Sequence, residues 1–306
     1  MEKNCKKNRK YIPASVDGIS PLKKVAAIHD LSCFGRCALT VIIPTLSVIG
    51  YQTVPIPTAL LSTHTGGFTD LHFHDLTPDM EKISEHFSRL GTSFRAIYSG
   101  FLGSAEQIET VLRFIDRFGS IPDESGKNPL ILIDPVMGDE GELYSTYTQD
   151  LMKGMKKLIR KADMITPNLT EACFLTDTPY QNTEALSKED AVAFANLLMD
   201  QLEDLHAAQT VITGIPLADG SLANLGRDQD GSRFWVSRPL QADSYPGTGD
   251  IFASVLLGSF LKNGNFRDAC EKAAAFTAEV IKGSSLIDTP TRNGVALESH
   301  LHLLLK

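Results

Sequence analysis

Leu130-Ile131-Leu132-Ile133-Asp134-Pro135-Val136-Met137-Gly138-Asp139 joins four consecutive apolar residues to an acid, a proline and a second acid. A strand with one face in water alternates apolar and polar residues, whereas one covered on both faces is apolar throughout. The run at 130–133 therefore predicts an inner strand of a parallel sheet. Outward from it, Val25-Ala26-Ala27-Ile28 reads as a first strand, residues 53–61 as a second, Ala96-Ile97-Tyr98 as a third and Val211-Ile212-Thr213 as a later one. Helical patterns fill the gaps. Thr77-Pro78-Asp79 starts one, with proline early and an acid in the first turn. Ser104-Ala105-Glu106-Gln107 is a capping-box pattern, followed by Ile108, Val111, Leu112 and Ile115 at helical spacing. Leu225-Gly226-Arg227 and Arg233-Phe234-Trp235-Val236 flank a turn at 228–231 and read as a hairpin at the sheet edge, with Trp235 packing it. The fold class is α/β: a central, mostly parallel sheet flanked by helices on both faces, with a small edge hairpin.

Composition narrows the function. The chain has 306 residues, 42% hydrophobic and 22% charged, enough for a large core. A net charge of −8 argues against nucleic acid or an anionic membrane as partner, since both call for clustered Lys and Arg. Five scattered cysteines, Cys33 and Cys37 among them, form no zinc pattern and point to reduced thiols in a cytoplasmic protein. The basic opening, residues 1–10, leads into no apolar run, so neither a signal peptide nor a membrane span is expected. Residues 1–22 read as a flexible tail and 23–306 as one domain.

Ligands of open parallel sheets gather beyond the carboxyl ends of the strands. The segments expected there are His29-Asp30-Leu31-Ser32, Ser62-Thr63-His64-Thr65-Gly66-Gly67, Ser99-Gly100-Phe101, Asp134 to Asp139, Thr166-Pro167-Asn168-Leu169-Thr170-Glu171 and Thr213-Gly214. Each carries small or acidic polar groups.

Pro246-Gly247-Thr248-Gly249-Asp250 then runs into the apolar stretch Ile251-Phe252-Ala253. Gly247 and Gly249 permit a tight turn and close approach of a ligand. The free N–H groups and positive dipole end of the helix that follows favour a phosphate. Asp250 beside such a site suits a base that deprotonates a hydroxyl attacking a phosphoryl group. An ordinary first-turn aspartate is the plainer alternative.

Asp134, Asp139 and Glu171 are hard oxygen donors of the kind that hold Mg²⁺ on nucleotide phosphates. Asp134 also reads as a strand-end residue held by Pro135, and Glu171 as a helix-start acid near the dipole. His64 has no His or Cys partner at ligand spacing; it reads either as a ring-stacking residue or as a hydrogen-bonded turn histidine. Phe101 stacks on a substrate or closes the core.

In this order, His29-Asp30-Leu31-Ser32 with Phe34-Gly35-Arg36, Ser62-Thr63-His64-Thr65-Gly66, Ser99-Gly100-Phe101-Leu102-Gly103, Asp134-Pro135-Val136-Met137-Gly138-Asp139, Thr166-Pro167-Asn168-Leu169-Thr170-Glu171 and Gly247-Thr248-Gly249-Asp250 resemble the pyridoxal/pyridoxamine (vitamin B6) kinases of the ribokinase-like superfamily, over about residues 24–285. The resemblance implies a homodimer that uses ATP with Mg²⁺, often with a monovalent cation (K⁺ or Na⁺), and phosphorylates the 5′-hydroxyl of a pyridine ring. It implies Asp250 as base, with the backbone of Gly247, Thr248 and Gly249 around the phosphoryl group. Metal would lie at Asp134, Asp139 and Glu171, with the monovalent cation near Thr166 and Thr213. ATP would meet Asp139, Asn168, Glu171, Thr213 and Gly214, and the ring would meet Asp30, Ser32, His64, Thr65 and Phe101.

The chain departs from the family pattern at two places. Many relatives have Gln-Ser-His where this sequence has His29-Asp30-Leu31, and Asn-His-Thr-Gly-Tyr where it has Thr63-His64-Thr65-Gly66-Gly67. The second change removes a ring-side tyrosine; the first adds a carboxylate suited to a protonated ring nitrogen. Two rivals share the fold: a hydroxymethylpyrimidine kinase of thiamine synthesis, and a catalytically silent ligand-binding regulator, against which the intact Asp250 turn argues.

Overall fold

The computed structural model describes residues 23–144, 147–205, 209–287 and 290–305; the expected tail, residues 1–22, lies outside them. In chain order the strands are β1 (Lys24–Phe34), β2 (Gln52–Thr63), β3 (Phe73–Asp75), β4 (Ala96–Ser99), β5 (Leu130–Ile133), β6 (Gly138–Asp139), β7 (Glu142–Leu143), β8 (Met164–Ile165), β9 (Gln209–Pro216), β10 (Ser221–Arg227) and β11 (Arg233–Pro239). Nine of them form one sheet in the order β11-β10-β9-β8-β5-β4-β1-β2-β3, and β6 with β7 makes a separate two-stranded flap. Pairing from β2 through β9 is parallel. The expected hairpin closes one edge as the antiparallel pair β10 and β11. The other edge ends in β3, also antiparallel and too short to stand out in the sequence.

Helices α1 (Leu39–Ile49), α2 (Thr77–Arg89), α3 (Ala105–Phe118), α4 (Gln149–Ile159), α5 (Leu169–Leu175), α6 (Lys188–Leu205), α7 (Thr248–Asn263) and α8 (Phe266–Ser285) cover the sheet. Strand pleating divides the core in two. Ala26 and Ile28 of β1 face one cluster with residues of α2 to α6, while Val25 and Ala27 face another with α1, α7 and α8. Helix α7 is buried almost all round, from Ile251 to Ser259, which accounts for its continuous apolarity. Trp235 packs on the first cluster, as expected of it.

Several local expectations need correction. Strand β1 runs through His29-Asp30-Leu31-Ser32 to Phe34, and β2 through Ser62 and Thr63, so these residues lie within strands and not after them. Thr213 and Gly214 likewise lie inside β9. The ladder between β1 and β2 persists across a slip in which His29 pairs with Pro57 but Leu31 with Leu60. Pro57 has no N–H to give the ladder, which fits an irregularity at that point. Helix α2 begins at Thr77 itself, whose N–H is met by Asp75 Oδ1 at 2.7 Å. Ser104 caps α3 by accepting from the Gln107 N–H, but the return bond of a capping box is missing: Gln107 Oε1 accepts from Gly103 N at 2.8 Å.

Candidate active site

At the start of α7, Gly247 has φ 81°, a left-handed conformation open to glycine without strain. A Cβ there would also lie 2.3 Å from the carbonyl oxygen of Arg36. Gly249 differs: a Cβ would meet nothing within 4 Å. The first glycine is required by packing of the turn against residues 36–37, and the second keeps the space above the helix end clear. The first-turn N–H groups of α7 have no partners inside the helix.

Asp250 follows in the same turn. Its Oδ2 accepts from the Ala38 N–H at 2.8 Å, and its Oδ1 lies 3.8 Å from His29 Nδ1. Ala38 presents that N–H from a backbone with φ 48° and ψ −132°, a region that costs a non-glycine residue roughly 1–3 kcal/mol. Burial, reinforced by the Asp134 charge and only partly offset by the Ala38 N–H, pushes Asp250 up to about 8. Left to itself the carboxyl holds its proton up to that pH, and it is ionised near neutrality only where nearby positive charge offsets the burial.

Two cavities meet at this residue. One, of about 320 Å³, is lined by Asp134, Asp139, Thr166, Asn168, Glu171, Thr213 and Gly214 together with Gly247, Thr248, Gly249 and Asp250. The other, of about 300 Å³, is lined by Asp30, His64, Thr65 and Phe101 with Cys37 and Ala38. Val136, Tyr144, Pro246, Gly247 and Asp250 border both. A third hollow, of about 440 Å³, continues the first past Asp139 and Gly214 toward Asn224 and Arg238.

On the acidic side, burial pushes both Asp134 and Glu171 upward, and the Asp134 charge adds to the rise at Glu171. Glu171 is also structural. Its Oε2 accepts from Asn168 N at 2.8 Å and its Oε1 from Met137 N at 3.1 Å, while Asn168 Oδ1 accepts from Glu171 N, completing a capping box. Asn168 Nδ2 donates to the Gly138 carbonyl, tying the flap to α5. Asp139 is exposed and accepts from Glu140 N. Among the described residues no three His, Cys, Asp or Glu side chains converge as a ready-made metal cage.

On the other side, Asp30 is buried, and burial raises its pKa. Ser32 is fully buried behind it and donates to Asp30 Oδ2 at 2.9 Å; it supports the wall without lining the cavity. His64 uses both ring nitrogens: Nε2 meets the Arg292 carbonyl at 2.7 Å, which makes it the protonated nitrogen, and Nδ1 accepts from Gly66 N at 3.1 Å. Of the two readings open for His64, the hydrogen-bonded turn histidine is the one its contacts support. Arg36 carries the same C-terminal segment, its N–H donating to the Asn293 carbonyl and its guanidinium pairing with Glu298.

Sequence reasoning missed Tyr144, which borders both cavities, and the neighbours of Asp250, His29 and Ala38. Tyr144 follows a flap of two-residue strands with no periodicity to read. The signal for Ala38 was Gly35-Arg36-Cys37, a turn placed before an apolar helix.

The phosphomethylpyrimidine kinase family matches residues 25–293. The chain belongs to that family. It is a ribokinase-like kinase, as the resemblance implied, and its vitamin B6 relatives are close at hand. A candidate phosphomethylpyrimidine kinase from Bacteroides thetaiotaomicron, crystallised with pyridoxal, is 38% identical, with TM-score 0.82 over 93% of this chain and 96% of that one. Pyridoxal kinase from Lactobacillus plantarum is 27% identical, with TM-score 0.82 over 93% and 97%. Pyridoxal kinase of Dictyostelium discoideum is 27% identical across 84% of this chain and 85% of its own.

Proposed function

We propose that this kinase transfers the γ-phosphoryl group of ATP to the 5′-hydroxyl of pyridoxal, pyridoxine or pyridoxamine. The observation that carries this reading is Asp250 at the junction of two cavities, one acidic and glycine-floored, the other bordered by Asp30 and Phe101. A hydroxyl entering from the second meets a phosphate lying in the first. Phosphoryl transfer requires in-line positioning, neutralisation of the phosphates and a base, and each has a place here.

Asp250 takes the hydroxyl proton, and the N–H groups of Gly247, Thr248 and Gly249 hold the moving phosphoryl group. The nucleotide occupies the cavity bordered by Asp139, Asn168, Thr213 and Gly214 and extends into the hollow beyond. The donor set fits Mg²⁺ as phosphates bring it, with one or two carboxylates and water completing the shell. Asp134 and Glu171 would hold it, with Asp139 at the rim; when bound it would neutralise the phosphates. Thr166 and Thr213 are the hydroxyls offered to K⁺ or Na⁺. Asp30 pairs with the pyridine nitrogen, while His64 and Thr65 shape the pocket edge and Phe101 covers the ring.

The pyridoxal found with the Bacteroides protein and the pyridoxal kinase activity of the other relatives support a B6 vitamer. The family's own description favours a second reading, phosphorylation of hydroxymethylpyrimidine. A coupled ADP-release assay across the three vitamers and hydroxymethylpyrimidine decides between them: turnover confined to the pyrimidine would overturn the B6 assignment. No described helix is long and apolar enough to cross a membrane. A cytoplasmic homodimer is the setting the resemblance implies, with residues 23–306 as its one domain.

A further inference from the structure

His29 stands on β1 with no exposed surface, and neither ring nitrogen completes a hydrogen bond among the described residues. A buried imidazole whose nitrogens make no well-formed hydrogen bond costs stability, and such a group calls for an explanation. The ring is wedged in place. It meets Tyr98 edge-on at 4.3 Å between centroids, and a Cβ on Gly100 would fall 2.5 Å from its Nδ1 and Cε1. The Nδ1 edge lies 3.8 Å from Asp250 Oδ1.

We propose that His29 is a positioning residue for Asp250, fixing the rotation of its carboxylate from the side opposite the Ala38 N–H. One donor on Oδ2 leaves a carboxylate free to swivel about that bond, whereas a second beside Oδ1 sets the plane in which its lone pairs meet a substrate hydroxyl. Hydrogen bonds of this kind are often long in the free enzyme and tighten as substrate binds. The ring stays neutral, because burial lowers His29 to about 3 with only partial relief from the Tyr98 main chain. Neutrality matters, since an imidazolium there would stabilise ionised Asp250 and weaken it as a base. This role rests on the reading of Asp250 as base.

The test compares steady-state kinetics of the full chain bearing His29→Leu, which removes the donor but fills the space, with His29→Gln, which keeps an N–H. His29→Leu should lower kcat about tenfold or more while leaving KM for pyridoxal and for ATP within about twofold, and His29→Gln should restore most of kcat. Gly100→Ala, which shifts the ring without altering its chemistry, should also lower kcat and serves should His29→Leu fail to fold. Equal kcat in the Leu and wild-type enzymes, or equal losses in Leu and Gln, would overturn the role, as would an unchanged kcat in Gly100→Ala. Asp250→Asn, run alongside, separates the outcomes: an active Asp250→Asn refutes the base, while an inactive one beside an unimpaired His29→Leu refutes only the positioning.

Discussion

The N–H of Ala38, at the start of α1, donates to Asp250 Oδ2 at 2.8 Å across 212 positions of sequence. The contact joins a strained turn after β1 to the first turn of α7, and it draws a carboxylate into surroundings that raise its proton affinity. In the proposed mechanism, function and stability are therefore set against each other at one residue.

Asp250→Asn should cut turnover by about 10²–10⁴, the usual cost of losing a general base, with the fold intact. Stability should move the other way. The folded protein holds the Asp250 proton up to about 8, against an ordinary value of 3.8. Its favourable contribution is complete below that ordinary value and disappears as pH rises through 8. The melting temperature of Asp250→Asn relative to wild type, measured without Mg²⁺, should be near zero at pH 4 and grow toward pH 8. A difference independent of pH would show that burial of the charge is not what shifts this group.

The two glycines of the turn should respond differently to alanine. Gly247→Ala places a Cβ against the Arg36 carbonyl in a left-handed backbone, so it should lower the melting temperature and activity together. Gly249→Ala meets only open space, and the melting temperature should hold while kcat drops about tenfold or more from intrusion on the phosphoryl position. Full activity in Gly249→Ala would remove the phosphoryl group from this turn.

Glu171→Gln replaces one of two acceptor oxygens with an amide NH₂ that must face a main-chain N–H. A loss of about 1–3 kcal/mol in stability is expected. The Mg²⁺ concentration for half-maximal activity should rise as well, because a hard cation is held by charge. A lowered melting temperature with an unaltered Mg²⁺ titration would leave Glu171 as a helix-capping residue alone.

Asp30→Ser removes the only acid expected to face the ring nitrogen. KM for the preferred vitamer should rise about tenfold, in line with a hydrogen bond to a charged group, while KM for ATP stays put. Unchanged values for pyridoxal, pyridoxine and pyridoxamine would reduce Asp30 to a buried partner of Ser32.

The sheet was legible because its inner strands are apolar on both faces, and β5 passes straight from Ile133 into Asp134. The residues that converge on the two cavities were legible as strand-end segments, although β1 extends beyond its apolar run by continuing the ladder with β2. What could not be read is pairwise geometry. Nothing in the spacing of Asn168 and Glu171 distinguishes a capping carboxylate from a metal-binding one, and both uses draw on the same two oxygens. Nor does the sequence tell that Ser32 stands behind Asp30, or that both nitrogens of His64 are taken, one by a carbonyl 228 residues away.

That last contact makes the wall beside Asp30 depend on the far end of the described chain. The acidic cavity is assembled from segments that end with α8, whereas the wall beside Asp30 needs residues 64–66 pinned by the Arg292 carbonyl and the turn at Arg36 clasped by Asn293 and Glu298. The two cavities thus lean on different stretches of chain, the acidic one on segments up to α8 and the one beside Asp30 also on residues 292–298. In the proposed mechanism, a chain lacking residues 292–298 would keep its phosphate-donor site but lose the walled place for the acceptor, leaving water as the nucleophile at hand.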